Sequence, residues 1–292
     1  MVIIHVAVVF VLLAVSRFYT MGIVANLFVS EMMLVIPAGI ALFTSGEKPD
    51  RVLGFHRLKI SSVLMILLYT LLMSPLTTLL NAISMLFVEN EVSAMSGQML
   101  ELPFGIMFFM MAIYGPVCEE LCFRGVIYRG YLKSGNALGA VLLSSLLFGL
   151  IHMNFNQAPY AFALGVAMAL LVEATGSLFS SVLMHAVFNG QSVILMYLSD
   201  SLIPDALSTQ AQQATGPEEI IPVISVYFIL ALICTALAGC VLVWLCLNQG
   251  RGEYVRWLWR QRKERRIKGR LISIPLVAGL ILCLGFMILT TL

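Results

Sequence analysis

Pro116-Val117-Cys118-Glu119-Glu120-Leu121-Cys122-Phe123-Arg124 lies inside a long apolar segment, Phe104 to Tyr131. Two adjacent carboxylates and a guanidinium therefore sit where lipid is the expected solvent. A charged side chain at the bilayer centre costs roughly 2.5–3.5 kcal/mol on insertion scales. Three unpaired ones would cost about 8–10 kcal/mol on the same scale. The rest of the chain has to supply partners for these charges, and a use for them is the natural expectation.

The surrounding composition fixes the solvent. Of 292 residues, 60% are hydrophobic and 11% charged, and the mean hydropathy is +0.98. A soluble domain would carry about 25% charged residues. The fold class is therefore all-α, a polytopic transmembrane bundle of about eight or nine helices with its polar site inside the membrane. The whole chain, 1–292, reads as one integral membrane domain with no internal repeat. The first apolar run, Val2 to Val15, lacks a basic leader and a small-residue cleavage site, so it reads as a first spanning helix.

Nine segments have the length and apolar character of spanning helices: 2–18, 22–44, 60–88, 104–132, 136–153, 158–174, 177–198, 220–248 and 271–291. The fourth to seventh, 104–198, hold the polar motifs. Lys48, Arg51, Arg57 and Lys59, then Arg124, Arg129 and Lys133, and then the basic stretch 249–270 fall on one side under this count. The positive-inside rule makes that side cytoplasmic. The N-terminus is then cytoplasmic, and the plasma membrane is the expected location. The basic stretch reads as a topogenic loop with Trp257 and Trp259 at the headgroups, not as a nucleic-acid surface. The partners expected are the lipid bilayer and a peptide or membrane-protein substrate. The sixth and seventh segments are short enough to suggest partial re-entry.

The six cysteines, Cys118, Cys122, Cys234, Cys240, Cys246 and Cys283, all lie in apolar runs. They read as small buried residues, and no disulfide is expected. Glu31, in the second segment near Pro37, reads as a bundle hydrogen-bonding residue or one that shapes a cavity.

Glu120 and Arg124 are spaced i, i+4 with the acid first, the favourable order for a helical ion pair. Glu119 is left about 100° round the helix without that partner, beside a proline that can open the backbone. His152 lies four residues after Phe148. Glu119 stands about 15 residues before the Ser134-Gly135 turn and His152 about 17 after it, so a helical hairpin brings them to similar depth. His185 and Asn189 share a helix face. His185 is only about eight residues past the Gly176 turn, so its depth fits less well.

One carboxylate, two histidines and one amide suit two hydrolytic chemistries. In one, Glu119, His152 and His185 hold zinc, which activates a water. In the other, Glu119 with His152 deprotonates a water, while His185 and Asn189 donate to the oxyanion. Asn is a poor zinc ligand and a good oxyanion donor, which favours the metal-free version. A salt-bridged helix without chemistry, or an ion-coupled carrier, uses the same residue types. A carrier would more often show repeated halves.

Glu119-Glu120-Leu121-Cys122-Phe123-Arg124, then Phe148-Gly149-Leu150-Ile151-His152, then His185-Ala186-Val187-Phe188-Asn189 resemble the motifs EExxxR, FxxxH and HxxxN/D of the CPBP family of intramembrane proteases. That family includes type II CAAX prenyl endopeptidases and bacterial proteins linked to bacteriocin processing and self-immunity. The similarity covers roughly Gly115–Asn189. It implies a glutamate-dependent intramembrane endopeptidase, often termed a metalloprotease. Glu119 is then the base, with Glu120, Arg124 and Phe148 in support. A non-catalytic immunity or scaffold protein of the same fold is the alternative.

Overall fold

A computed structural model describes residues 21–202, 217–264 and 271–291. Eleven helices follow in order: α1 Ile23–Thr44, α2 Pro49–Leu53, α3 Ile60–Ser84, α4 Glu91–Leu100, α5 Phe104–Leu132, α6 Ala137–Leu150, α7 Gln157–Thr175, α8 Leu178–Leu202, α9 Pro217–Asn248, α10 Gly252–Glu264 and α11 Ile274–Thr291. Seven of them (α1, α3, α5, α7, α8, α9 and α11) are long and apolar enough to cross a membrane. The expected helix at 2–18 lies outside the described residues. Every other expected span has a helix.

The short member is not the one expected. α7 and α8 run for 19 and 25 residues, whereas α6 has only 14. At 1.5 Å per residue α6 is about 21 Å long, against a hydrocarbon core of about 30 Å. Its start is set by Asn136, whose side chain accepts from the Gly139 N–H at 2.9 Å. Its end is set by Met153, which takes a left-handed φ of 57° and turns the chain. Asn154 then accepts from the Gln157 N–H at 2.7 Å and starts α7.

α5 and α7 form the centre of the bundle, with half or more of their spanning windows buried, while α1, α9 and α11 are mostly lipid-facing. α3 packs most extensively on α9, α6 on α7, and α1 and α8 both lie against the middle of α5. The α7–α8 connection is tight because Gly176 adopts φ +74°. A side chain there would also strike Arg251, since a Cβ would come within 2.7 Å of its Nη1. Arg251 donates to the Glu173 carbonyl at 2.8 Å and lies 3.7 Å from the Glu173 carboxylate, tying the start of α10 to the end of α7. The Leu178 N–H and the Ser177 hydroxyl donate to the carbonyls of Gly54 and His56, at 3.1 and 2.5 Å. These contacts fix where α8 begins, and so how deep His185 lies.

Candidate active site

The centre of α5 is not a uniform α-helix. Phe109–Tyr114 and Leu121–Tyr128 are π-helical, with an α-helical piece, Gly115–Glu120, between them. Wide turns of this kind often accompany functional sites. Here Pro116 gives a local cause. In the π register the Gly115 N–H bonds the Met110 carbonyl. The next partner in that register, for Met111, would be the N–H that Pro116 lacks. The Met111 carbonyl instead accepts from Asn189 Nδ2 at 3.0 Å. A proline break in one helix is thus closed by an amide from another.

Glu120 and Arg124 form the expected pair. Arg124 Nη1 donates to Glu120 Oε1 at 2.7 Å, and the two side chains are 0% and 1% exposed. Arg124 also places its Cζ 4.2 Å above the Phe148 ring, a cation–π contact that gains strength when both partners are desolvated. Among the described residues its Nη2 has no hydrogen-bond partner of its own.

His185 joins this pair directly. Its Nδ1 lies 3.2 Å from Glu120 Oε1, and its Nε2 lies 3.8 Å from Glu119 Oε2. A carboxylate oxygen can only accept, so Nδ1 carries the proton toward Glu120. Nε2 then points at Glu119 from beyond hydrogen-bond length. The imidazole bridges the two adjacent carboxylates. The expected partner of Glu119 was His152; among the described residues the histidine within ion-pair distance of Glu119 is His185.

His152 stands on the other side of Phe148. The Phe148 ring meets the His152 ring edge-on at 5.3 Å between centroids and the His185 ring at 5.6 Å, with Phe123 at 5.2 Å. His152 Nδ1 is 2.9 Å from the Phe148 carbonyl. That carbonyl accepts, so Nδ1–H donates and Nε2 is left as the free lone pair. Phe148 is therefore a shared wall for Arg124 and both histidines. His185 does reach the level of the other motif residues, despite its short distance from the α7–α8 turn.

Glu31, on α1, stands beside the same stretch of α5. It lies against Gly115, where an added Cβ would stand 3.5 Å from Glu31 Oε1. The sequence marked Glu31 as an intramembrane acid but gave no signal tying it to Gly115.

The expected zinc set is Glu119, His152 and His185. Among the described residues no three His, Cys, Asp or Glu side chains converge to hold a metal ion. His185 has its nitrogens turned to two carboxylates at 3.2 and 3.8 Å. With His152 across the Phe148 ring from His185, the three named donors do not converge in this arrangement. Cys118 and Cys122 are free and buried.

An open cavity of about 1040 Å³ lies at one end of the bundle, lined by the stretch 85–91, Ser93, Ala94, Asn154–Asn156, Thr290 and Thr291. None of the motif residues lines it. It begins two residues beyond His152.

The segment that carries the two adjacent glutamates, the bridging histidine and the phenylalanine wall matches a known family model in sequence. Residues 101–191 match the family model described as type II CAAX prenyl endopeptidase Rce1-like. Through this segment the chain is similar to the CPBP or CAAX protease family. It is 34% identical over 115 residues to the Membrane-embedded CAAX protease MroQ of Staphylococcus aureus (strain USA300), covering 37% of this chain and 45% of that protein. It is 28% identical over 111 residues to the Bacillus subtilis (strain 168) protein named "Putative membrane peptidase YdiL", covering 38% of this chain and 46% of that one. The chain spans about half the length of the curated relatives it matches. No solved structure matches it.

Proposed function

We propose that the chain is an intramembrane endopeptidase that hydrolyses a peptide bond in a membrane-associated peptide or protein, with Glu119 as general base. The observation that carries this reading is the seating of His185 between Glu119 and Glu120, at 3.8 and 3.2 Å. Glu120 is neutralised by Arg124, while among the described residues Glu119 Oε2 has no hydrogen-bond partner. That leaves one carboxylate oxygen free to accept a proton.

In the proposed reaction Glu119 takes a proton from a water, and the water oxygen bonds to the scissile carbonyl carbon. Negative charge builds on the carbonyl oxygen. The second N–H of Asn189 Nδ2, not used on Met111, donates to that oxyanion. The proton held by Glu119 passes to the leaving nitrogen as the C–N bond breaks. His152 Nε2 is the second group that can carry a proton during these transfers. His185 faces two carboxylates, so its proposed role is to position Glu119, not to donate to the oxyanion. No step passes through a metal.

The reading places the reaction inside a bilayer, with the N-terminus cytoplasmic and the plasma membrane as host. The substrates it favours are peptide pheromones, bacteriocin leaders or segments of membrane proteins. The relatives are named as a CAAX protease and a membrane peptidase, and this supports peptide-bond hydrolysis as the reaction class. The test is purified full-length protein in lipid nanodiscs against a peptide library, wild type beside Glu119→Ala. Cleavage by the wild type alone is expected. Equal cleavage by both would sink the assignment. A chelator in the same assay tests for metal dependence, with unchanged turnover expected.

A further inference from the structure

We infer that the cavity beside the α6–α7 turn is a binding site for the extramembrane flank of a peptide substrate, and that it selects a flank carrying lysine or arginine. The inference rests on the endopeptidase reading, whose substrate it narrows, but the binding itself needs no turnover.

The cavity is built from three distant parts of the chain. Its walls are the stretch from the end of α3 into α4, the turn Asn154–Asn156, and the end of α11 at Thr290 and Thr291. Buried contacts hold these walls in place. Asn156, 1% exposed, donates through Nδ2 to Asn81 Oδ1 and to Ser84 Oγ, both at 2.9 Å. Phe155 packs against Cys283 and Met287 of α11. The volume of about 1040 Å³ is at the upper end for ligand sites, which run to about 1,000 Å³.

What these walls offer a ligand is acceptors. Glu89 and Glu91 are exposed on one wall, and among the described residues neither has an ion-pair partner. No Lys, Arg or His is among the described residues that line the cavity. The hydroxyls of Thr290 and Thr291 donate to carbonyls of their own helix, so what they have left is lone pairs. Asn156 supplies an independent sign of a ligand. Its Nδ2 is spent on α3, whereas its Oδ1 is buried with no hydrogen-bond partner among the described residues. Such an acceptor is costly to leave unpaired, and a ligand N–H in the cavity would pair it.

The N-terminus of α4 also lies on this wall and would by itself draw an anion. That position is filled from within the chain. Asn90 accepts from the Ser93 N–H at 3.1 Å, and Glu91 stands in the first turn. An anionic ligand would meet two carboxylates here, whereas a cationic one meets its complement.

The link to the candidate site is short. Asn154 Nδ2 donates to the His152 carbonyl at 2.9 Å, so the turn that follows His152 is also the cavity wall. At no more than about 3.6 Å per residue, Asn156 lies within about 14 Å of His152. An extended peptide covers that distance in about four residues. The basic residues of the substrate should therefore lie about four to six positions from the scissile bond.

The test uses full-length protein in nanodiscs of neutral lipid and two fluorescent peptides. They share one apolar segment and carry either three lysines or three glutamates on one flank. Anisotropy reads binding in the Glu119→Ala background, with empty nanodiscs as baseline. The lysine-flanked peptide should bind at least about 10-fold more tightly than the glutamate-flanked one. Glu89→Gln with Glu91→Gln should weaken the lysine-flanked peptide by about 3- to 10-fold. Ala94→Trp fills the cavity without a change of charge and should weaken it by at least about threefold. Glu101→Gln removes an exposed acid at the same end of the bundle that does not line the cavity, and should leave binding within about 1.5-fold.

Equal affinity for the two peptides would overturn the inference. So would a loss in Glu101→Gln as large as that in the double variant, which would mark a general surface-charge effect. If the lysine preference holds while the wild type cleaves neither peptide, the endopeptidase reading fails and the binding site stands. If the wild type cleaves both peptides and binds them equally, the binding site fails and the endopeptidase reading stands.

Discussion

Arg124→Met should destabilise the protein by about 3–5 kcal/mol, the cost of leaving a buried carboxylate without its cation. The basis is local. Arg124 Nη1 donates to Glu120 Oε1 at 2.7 Å, neither side chain is reached by solvent, and both lie in the most buried part of α5. Removing the guanidinium also removes the contact at 4.2 Å above Phe148, worth about 2 kcal/mol when fully desolvated. His185 remains at 3.2 Å from Glu120 and offsets part of the loss. A second substitution separates burial of charge from loss of packing. Glu120→Leu with Arg124→Met takes out both charges and fills the space with apolar volume. Such replacements are often neutral or stabilising, so the double variant should recover to within about 2 kcal/mol of wild type. It should nevertheless stay inactive, because His185 loses the acceptor of its Nδ1 proton and no longer presents Nε2 to Glu119. The assay is equilibrium unfolding in mixed micelles with rising SDS fraction, paired with peptide turnover. A single variant within about 1 kcal/mol of wild type, or a double variant as unstable as the single, would refute the view that these charges are costly groups kept for orientation.

Phe148→Leu should fold but lose about 10-fold or more in kcat, since the ring that walls both histidines is gone; turnover beside a thermal melt checks it. Asn189→Leu strands the Met111 carbonyl and should cost about 1–3 kcal/mol in unfolding experiments, together with a turnover loss of about 10²-fold or more from the missing oxyanion donor. Arg251→Ala frees the start of α10 from Glu173, and limited proteolysis should then cut the 249–270 segment faster while the α5 site keeps its turnover.

The membrane class and most helix positions were legible because both follow from local composition. Apolar length decides a span, and the charged motifs stand out against it. The weak points came from contacts between distant segments. α6 stops at Leu150, and the turn that ends it uses a left-handed Met153, a residue type that seldom announces such a turn. The short helices α2, α4 and α10 fall in stretches that read as loops, since their length rather than their pattern sets them apart. The three motifs were visible as spacing, and so was the ion pair of Glu120 with Arg124, because i, i+4 neighbours on one helix need no tertiary information. The partner of Glu119 was not visible. Hairpin depth favoured His152, and depth alone cannot say which face of a helix meets which. The π turns of α5 further upset a 100° wheel.

The arrangement as it stands divides two neighbouring acids by their surroundings. Glu120 has a guanidinium and an imidazole on one oxygen and is closed off from bulk solvent. Glu119, one residue away, has the far nitrogen of the same imidazole at 3.8 Å. The first is locked, because moving it would expose a buried cation on Phe148. The second keeps an oxygen with no hydrogen-bond partner among the described residues and has the His185 imidazole beside it. A helix in lipid cannot recruit bulk water to hold a base in place, so the neighbouring helices must do so. α8 is placed to do this with His185. On this account the glutamate pair is one acid that anchors the histidine and one acid that the histidine serves. Exchanging their roles by moving the arginine to the other helix face should abolish turnover even where the fold survives.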